Sequence, residues 1–372
     1  MKIKFTNFSK EFSFLKKDFI NKFTYLGNKG EYILGKELYK FEKNIEKFLK
    51  VKHVIGVGNW TEGAIMLFKA LDYKINDEII TVSNSFIATC GAIVYAGQKP
   101  VLVDIQDDLN IDPKLIEEKI TKKTKAIMPV HLSGIPADLN LINKICKKYK
   151  LDLIEDAAHA FGTKYFSQYL GTIGRAGVFS LHPRKSFHVL GDGGLIVTND
   201  TKLYKRLILL RNHGLKNRNK SLIWGTNSRL DNLQAGFGNI MLKKIKKWNA
   251  IQLNFAIHYN CNLKDIVMIP KCNLKISNPS FHQYIIRANF RNTLQRYLKN
   301  NGIDTAIHYP IPIHKQIAYK SQFGKINLPK TEYYSKRILS LPINPYLKKK
   351  EINFVINKVK DFFKKKIKSS KS

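Results

Sequence analysis

Between Glu31 and Thr198 the chain alternates short apolar runs with segments in which apolar residues recur every three or four positions. The apolar runs predict strands at 53–58, 78–82, 100–104, 126–130, 151–156, from 178 onward and at 195–198. The segments between them predict helices over 31–50, 64–71, 85–96, 113–119 and 139–149. Strands that alternate with helices of this length indicate a mainly parallel sheet covered on both faces.

The pattern changes after Thr201. Helical periodicity covers 202–209 and 233–259, and mixed elements follow, with strands predicted at 283–286 and 305–309 and helices at 291–300 and 350–363. We therefore predict a large domain over 1–255 and a small α+β domain over 256–372. Residues 1–30 are aromatic and basic without a clear period, and we interpret them as an N-terminal arm that packs on a partner. The basic tail, Lys364–Ser372, is expected to fray.

One stretch stands apart from the regular alternation. A short apolar run leads into Ser180-Leu181-His182-Pro183-Arg184-Lys185-Ser186, and Gly191-Asp192-Gly193-Gly194 follows before the next strand. Proline interrupts regular structure, and glycines permit an unusual backbone. Other lysines lie in solvent-facing runs, whereas Lys185 lies among glycines, aromatic residues and strands. Lys185 is therefore the lysine that we expect to be used for its chemistry.

Polar residues suited to such a lysine come at the ends of predicted strands. Ligands of parallel sheets bind beyond the carboxyl ends of the strands, where Thr61, Asp156 and Ser180 fall. A lysine that forms a Schiff base with a carbonyl cofactor needs a carboxylate for the cofactor's ring nitrogen, and Asp156 ends a buried strand. Thr61 opens a predicted helix after a strand and a tight turn, a layout that binds anions, and Ser180 adds a hydroxyl.

Two further side chains are placed to flank a cofactor ring. His159 comes three residues after Asp156, and Phe86 follows another strand. Each residue has an ordinary explanation when taken alone: Asp156 is equally typical of a helix cap, His159 is more often a satisfied core histidine, and Phe86 is most often core. Their coincidence at strand ends of one sheet is what favours a cofactor site.

The composition narrows the class of protein. The chain has 372 residues of which 44% are hydrophobic, which suits two packed domains rather than disorder. A net charge of +36 suggests nucleic acid, but the lysines are spread along the whole chain, so we favour a lysine-biased surface and predict no nucleic-acid partner. The sequence contains no apolar run of membrane-helix length and no secretory signal pattern, which predicts a cytoplasmic location without membrane association. The four cysteines lack metal-ligand spacing, which predicts free thiols and no metal site.

Together with the lysine stretch, a series of ordered motifs resembles the DegT/DnrJ/EryC1/StrS family of sugar aminotransferases over roughly residues 28 to 345. The motifs are Gly56-Val57-Gly58-Asn59-Trp60-Thr61-Glu62-Gly63, Ser83-Asn84-Ser85-Phe86-Ile87-Ala88-Thr89, Pro129-Val130-His131-Leu132-Ser133-Gly134, Ile154-Glu155-Asp156-Ala157-Ala158-His159-Ala160, Arg211-Asn212-His213-Gly214, Asn227-Ser228-Arg229-Leu230-Asp231-Asn232-Leu233-Gln234-Ala235, Ile307-His308-Tyr309-Pro310-Ile311-Pro312-Ile313-His314 and Leu339-Ser340-Leu341-Pro342. So many matches in order are far more specific than any single motif.

The resemblance implies the cofactor pyridoxal 5′-phosphate and fold type I, the aspartate-aminotransferase-like α/β fold with a mainly parallel large domain and a small α+β domain. Three catalytic roles are implied: Lys185 as Schiff-base lysine and acid/base, Asp156 on the pyridinium nitrogen, and His159 against the ring. The resemblance also implies that Phe86 contacts the ring and that the phosphate is held by Thr61, Glu62 (through its backbone amide) and Ser180. Asn227 is implied to reach the phosphate in the neighbouring subunit of a homodimer. Three residues are implied to lie near the nucleotide-sugar: His308, Tyr309 and His314.

The implied reaction moves an amino group from an amino acid, which we interpret as L-glutamate, to a nucleotide-linked keto-deoxy sugar for surface polysaccharide or glycan synthesis. The Gly191-Asp192-Gly193-Gly194 turn resembles branches that aminate carbon 3 of a dTDP- or UDP-sugar, whereas carbon-4 branches more often carry glutamate in place of Asp192. A carbon-4 aminotransferase, a non-catalytic regulatory relative that binds the cofactor, and a fold-type-I transferase with an acyl or amino-acid substrate stay open as alternatives. Lys185 excludes the dehydratase branch, in which histidine replaces the lysine.

The chain departs from the family pattern at a few positions. Trp60 stands where relatives carry a small residue and is expected to crowd the phosphate loop. Thr226 stands where an aromatic residue is common, and Gly236 and Gly238 are expected to loosen a helix that is usually rich in alanine. None of these departures removes a catalytic group.

Overall fold

The computed structural model describes residues 1–369. Its helices are α1 (Phe8–Lys29), α2 (Lys36–Leu49), α3 (Trp60–Ala70), α4 (Ala88–Tyr95), α5 (Leu139–Tyr149), α6 (Thr201–Leu210), α7 (Asn232–Leu263), α8 (Arg291–Asn300), α9 (Ile317–Phe323), α10 (Pro329–Ser335) and α11 (Lys349–Ser369). Its strands are β1 (His53–Val57), β2 (Glu78–Val82), β3 (Lys99–Val103), β4 (Thr124–Ile127), β5 (Asp152–Asp156), β6 (Lys164–Tyr165), β7 (Gln168–Tyr169), β8 (Ala176–Ser180), β9 (Gly194–Thr198), β10 (Leu215–Asn217), β11 (Lys220–Ser221), β12 (Ser277–Asn278), β13 (Tyr284–Arg287) and β14 (Ile338–Leu341). No helix in residues 1–369 has both the length and the apolar character needed to cross a bilayer.

A seven-stranded sheet forms the centre, in the order β1-β9-β8-β5-β4-β2-β3. Strands β8, β5, β4, β2 and β3 pair in parallel, whereas β9 is antiparallel to both β8 and β1. Every residue of β2, β8 and β9 is buried, as expected for strands with helices on both faces. The predicted mainly parallel α/β architecture is confirmed.

Helices cover the two faces of the sheet and also form a second core. One face packs against α2, α5 and α7, and the other packs against α3, α4 and α6. The second core joins the end of α7 to α8, α11 and the antiparallel pair β13–β14. The predicted division at residues 255 and 256 falls inside α7, a continuous helix that contributes to both cores. The division into two domains stays a prediction.

The N-terminal residues differ from the expected arm. Residues 8–29 form α1, which packs along α7 of the same chain, with the rings of Phe19 and Phe237 4.9 Å apart. Aromatic residues on the solvent side of α1, such as Phe14 and Phe23, hid its helical period in the sequence. The interpretation of residues 8–29 as a segment without a helical period is therefore wrong, and packing on a partner stays a prediction.

The glycines of α7 have a packing role. A Cβ at Gly236 would lie 2.8 Å from a methyl of Leu26 on α1, and one at Gly238 would lie 2.6 Å from the ring of Phe41 on α2. Their lack of a side chain lets α1 and α2 approach α7 closely, and α7 runs uninterrupted for 32 residues. The expectation that they loosen the helix is wrong.

Three local predictions also need correction. Residues 113–119 form two 3₁₀ turns, and 305–309 make only an isolated bridge between Ala306 and Ser340, because Pro310 and Pro312 beyond it lack the N–H groups that a ladder requires. Helix α11 continues through Ser369, so the expected fraying does not begin at residue 364. The remainder of that tail, 370–372, lies outside the described residues.

Gly177, in the middle of β8, gives a test of how tightly the sheet is packed. A Cβ there would lie 2.2 Å from the carbonyl oxygen of Gly171, on a loop that passes over the strand. Because backbone would have to move, Gly177→Ala should destabilise the fold by about 1–3 kcal/mol, measured by urea unfolding. Gly91→Ala is the matched control: it has nothing within 4 Å and lies within α4, so it should stabilise by up to about 1 kcal/mol. Equal midpoints for both variants would contradict this description.

Candidate active site

The ends of two neighbouring strands frame the site. Asp156 is the last residue of β5 and pairs in register with Val178 of β8, whose last residue is Ser180. The chain then leaves the sheet, carries Lys185 through a turn in which its N–H donates to the His182 carbonyl over 2.8 Å, and returns into β9. Strand topology therefore brings the predicted lysine and carboxylate to one edge of the sheet.

The loop that carries Lys185 is anchored on both sides. The Phe187 ring is buried and stacks on Phe161 with centroids 3.9 Å apart. Gln234 of α7 brackets Leu190, accepting from its N–H over 2.9 Å and donating to its carbonyl over 3.1 Å. A Cβ at Gly191, whose φ is +153°, would lie 2.8 Å from the Gln234 amide nitrogen, so the glycine turn needs this residue type. These contacts fix the direction in which Lys185 points.

Burial shifts the pKa values of the lysine and the carboxylate in opposite directions. Desolvation lowers the pKa of the Lys185 amine to about 8, and the nearby Asp156 opposes part of that shift. Desolvation raises the pKa of Asp156, which is 3% exposed, while the Ala158 N–H at 3.2 Å, the Thr89 hydroxyl at 3.0 Å and Lys185 favour its anion. The site therefore contains an amine that loses its proton readily beside a carboxylate supported by hydrogen bonds.

Thr89 was not identified from the sequence as a site residue. Its hydroxyl donates to Asp156 Oδ2 and also lies 2.7 Å from the hydroxyl of Ser85. The spacing of four residues between Ser85 and Thr89, at the entry to α4, is the signal that was available, because residues four apart share one helix face.

Two histidines lie close enough to Lys185 for its positive charge to lower their pKa values. His159 accepts from the Ser133 N–H over 3.2 Å at Nδ1, which puts the proton of the neutral ring on Nε2. Its ring centroid lies 4.6 Å from that of His282, whose Nδ1 is 3.2 Å from the Ser186 hydroxyl. Burial, followed by the positive charge of Lys185, lowers the pKa of both histidines well below the usual value. Both rings are therefore neutral near pH 7.

His282 was missed in the sequence. It lies just before β13, in the second core, and a single histidine next to an apolar strand carries no signal for a site on another sheet. Only tertiary packing brings it to His159 and Ser186.

The loop after Ile307 brings two predicted residues to the same place. Burial, with Lys185 as the next cause, lowers the pKa of His308 to about 4, and its Nδ1 is 2.8 Å from the Ser340 hydroxyl. Tyr309 lies 5.9 Å from the ring of Phe86, and burial raises the pKa of its phenol, with a further rise from Asp156. Phe86 is 57% exposed, so one face of the site opens to solvent beside Tyr309.

His314 is buried, and both of its ring nitrogens are engaged. Nδ1 is 2.7 Å from the hydroxyl of Ser83, at the end of β2, and Nε2 is 3.2 Å from Glu332 of α10. These contacts join the loop to the sheet. The predicted place of His314 near the substrate stays a prediction, as do the substrate contacts of His308 and Tyr309.

The N-terminus of α3 lies where an anion cradle is predicted, and its binding of a phosphate stays a prediction. Asn59 caps the helix by accepting from the Glu62 N–H over 2.9 Å, and no described group in residues 1–369 bonds to the Thr61 hydroxyl. A Cβ at Gly194 would lie 2.9 Å from the Trp60 nitrogen, so this glycine lets β9 and the helix end meet. Ser180 pairs with Gly194 across the sheet and therefore lies beside the cradle.

Trp60 does not crowd this loop. Its side chain is 7% exposed, packs in the core between the sheet and α3, and donates its indole N–H to the Val178 carbonyl over 3.2 Å. The expectation that its bulk narrows the phosphate loop is wrong, because the ring points into the core.

Asn227 is exposed and bridges to Asn212 through the backbone. The next residue, Ser228, accepts the Gly58 N–H over 3.1 Å, which places this segment beside the turn that leads into α3. Its predicted reach into the cofactor site of a neighbouring subunit stays a prediction.

These groups suit pyridoxal 5′-phosphate. The site offers a buried amine that can lose its proton, a buried carboxylate that a cationic ring nitrogen would neutralise, and a helix N-terminus with an unused hydroxyl for a phosphate. The donor set therefore fits this cofactor at its carbonyl carbon, its ring nitrogen and its phosphate.

The shifted pKa of Lys185 can be measured without any cofactor. After reductive methylation of the apoprotein with ¹³C-formaldehyde, the dimethyl-lysine signal that Lys185→Arg removes should titrate with a midpoint near 8. Roughly a tenth of the amine would then be neutral at pH 7. Asp156→Asn should move the midpoint lower, because Asp156 raises this pKa. A midpoint above 10, or one unchanged in Asp156→Asn, would contradict the geometry.

Comparison with known proteins shows the family. The model of the DegT/DnrJ/EryC1/StrS aminotransferase family matches residues 14–360. The dTDP-3-amino-3,6-dideoxy-alpha-D-galactopyranose transaminase of Aneurinibacillus thermoaerophilus is 40% identical over 332 residues, which cover 89% of this chain and 91% of that protein. The pleiotropic regulatory protein of Geobacillus stearothermophilus is 36% identical over 370 residues, which cover 98% and 99%.

A solved structure agrees with the sequence matches. The crystal structure of S. venezuelae DesV in complex with a ketimine intermediate matches 97% of this chain and 98% of its own, with a TM-score of 0.94 and 32% identity. The expected fold type I is thereby confirmed. The chain belongs to the DegT/DnrJ/EryC1/StrS family of pyridoxal-phosphate-dependent nucleotide-sugar aminotransferases.

Proposed function

We propose that this enzyme transfers the amino group of L-glutamate to carbon 3 of a dTDP- or UDP-linked keto-deoxy sugar. The observation that carries the proposal is the buried pair of Lys185 and Asp156, with a lowered lysine pKa and a hydrogen-bonded carboxylate. Two observations support amination at carbon 3. The A. thermoaerophilus relative is named as a 3-amino sugar transaminase, and this chain carries the Gly191-Asp192-Gly193-Gly194 turn. We further propose a cytoplasmic homodimer with shared active sites that serves surface polysaccharide or glycan synthesis.

Pyridoxal 5′-phosphate, when bound, supplies an electron sink for the charge that develops at the carbon bearing the amino group. We propose that it is held by Lys185, Asp156, His159, Phe86, Thr61, Glu62, Ser180 and, across the dimer, Asn227. The Glu62 N–H donates to the Asn59 cap over 2.9 Å in this structure, so Glu62 would hold the phosphate only by exchanging that bond for one to a phosphate oxygen. The Thr61 hydroxyl has no partner among residues 1–369 and is directly available.

Lys185 acts in this proposal as the group that moves the proton. Its Nζ, when neutral, would take a proton from the α-carbon of the donor amino acid and, once protonated, would give that proton up again. A pKa of about 8 suits both directions, because both protonation states are populated at neutral to mildly alkaline pH. The anchored loop at Phe187 and Gln234 keeps Nζ in position for both transfers.

Asp156 maintains a negative charge where a cationic ring nitrogen is expected. Burial alone would favour the protonated carboxyl, and the donors at Thr89 and Ala158 oppose that tendency. The neutral rings of His159, His282 and His308 exclude water without adding positive charge beside Lys185. This arrangement keeps Lys185 the principal group that titrates between neutral and mildly alkaline pH.

A second candidate is a regulatory protein that binds the cofactor without transamination, and the name of the G. stearothermophilus relative favours it. The lowered pKa of Lys185 suits Schiff-base formation in either candidate, whereas the names of the transaminase relatives support catalysis. Loss of the visible cofactor band on addition of glutamate would separate the two candidates.

The deciding test supplies glutamate and a panel of dTDP-, UDP- and GDP-linked 3-keto and 4-keto sugars. Wild type should aminate a 3-keto sugar, and Lys185→Ala should lose at least about 10³-fold in rate, since it lacks the proton-transfer group. Lys202→Ala, on an exposed surface, is the matched control and should retain full activity. Mass spectrometry of the sugar product checks all three proteins.

Each contrary outcome has a defined meaning. Amination of 4-keto sugars alone would replace carbon 3 by carbon 4, and no amination of any sugar would sink the sugar-acceptor proposal. Undiminished turnover by Lys185→Ala would remove Lys185 from its role.

A further inference from the structure

A cleft opens beside Lys185, between the sheet and the second core. Its volume is about 480 Å³, within the range of clefts that bury ligands much larger than an amino acid. Its lining includes Lys185, Arg184 and His308, and also Phe5, Phe8 and Glu11 from the N-terminal segment. The N-terminus of the chain is thus a wall of the cleft that contains its own lysine.

Residues 3–11, here called the strap, are anchored at three points. Ile3 is buried and exchanges backbone hydrogen bonds with Gly302 and Asp304, at 2.7 and 2.9 Å. Lys10 Nζ donates to the Tyr346 carbonyl over 2.6 Å. Glu11 lies 2.7 Å from His188, in the loop that carries Lys185. Contacts to both the second core and the lysine loop give the strap a defined position across the cleft.

Phe5 is the residue of the strap that faces the predicted substrate loop. Its ring centroid lies 5.9 Å from that of His308 in a tilted arrangement, and its side chain is only partly buried. An aromatic ring with a free face beside a polar cleft is suited to contact a planar base or the apolar face of a sugar. Phe5 therefore offers a contact for a base or a sugar ring, groups that glutamate lacks.

Arg184 supplies the charge that a nucleotide-linked acceptor needs. Its side chain is exposed at the cleft and has no ion-pair partner among residues 1–369. The carboxylates that line the same cleft are Glu11, which lies against His188, and Asp304, whose backbone bonds to Ile3. The guanidinium is therefore available for a phosphate, which it binds well because its fork of N–H donors matches phosphate oxygens.

We infer that the strap forms one wall of the acceptor subsite and that Phe5 determines specificity for the bulky nucleotide-sugar, with Arg184 on its phosphates. The inference rests on the proposed sugar-acceptor function. Glutamate has neither a sugar ring nor a base for Phe5 to contact, so the two half-reactions should differ in their dependence on Phe5.

The experiment measures both half-reactions of the holoenzyme. Phe5→Ala should raise KM for the keto sugar about tenfold, the loss expected for one aromatic contact, and leave the rate with glutamate within about twofold. Phe5→Tyr should restore KM, and Arg184→Gln should raise it independently. Phe23→Ala, 59% exposed on α1 and outside the cleft, is the matched control and should change neither half-reaction. Thermal melting of each variant separates loss of fold from loss of contact.

A second readout does not need the sugar. The rates at which O-methylhydroxylamine and O-benzylhydroxylamine bleach the cofactor band report access to Lys185, and Phe5→Ala should accelerate only the bulky reagent. An equal effect on both half-reactions, or an unchanged sugar KM, would overturn the inference. If wild type accepts no keto sugar, the proposed function fails, and the reagent pair then decides: selective acceleration supports the wall, and equal rates reject it.

Discussion

The burial of an amine and a carboxylate at one edge of the central sheet is the constraint on which the rest of the site depends. Neither group is stable there in its charged form alone, because desolvation lowers the pKa of Lys185 and raises that of Asp156. Hydrogen bonds from Thr89 and the Ala158 N–H, and the mutual attraction of the pair, offset part of that cost. The result is a lysine poised to exchange a proton beside a stable negative charge.

The surrounding structure keeps this pair in register. The parallel pairing of β5 with β8 sets the two strand ends side by side, and α7 reaches across to clamp the lysine loop through Gln234. His282, which lies next to His159, and the loop that carries His308 both come from the second core and close the site on the other side. Cofactor, donor and acceptor would thus meet at a junction of two cores rather than within one.

The net charge of +36 arises because 64 basic residues outnumber 28 acidic ones. Several carboxylates lie inside the fold. Glu155 is fully buried and accepts from three backbone N–H groups and His131. Glu42 forms an ion pair with Arg211. Lysines remain outside because their long, hydrated side chains tolerate exposure at little cost. The excess positive charge therefore lies mainly on the surface.

Local pattern in the sequence determined the parallel sheet, the Lys185 and Asp156 pair and the family, because buried strands, glycine turns and strand-end residues are encoded by neighbours along the chain. It missed α1, whose exposed aromatic residues mask the helical period, and it misread Trp60 and the glycines of α7, whose meaning depends on what packs against them. Only the tertiary structure placed His282 beside His159 and set the hydrogen-bond partners of His314. It also placed the N-terminal strap along the cleft. The physical reason is that these contacts join residues far apart in the chain, and side-chain direction and packing distance are set by the assembled fold.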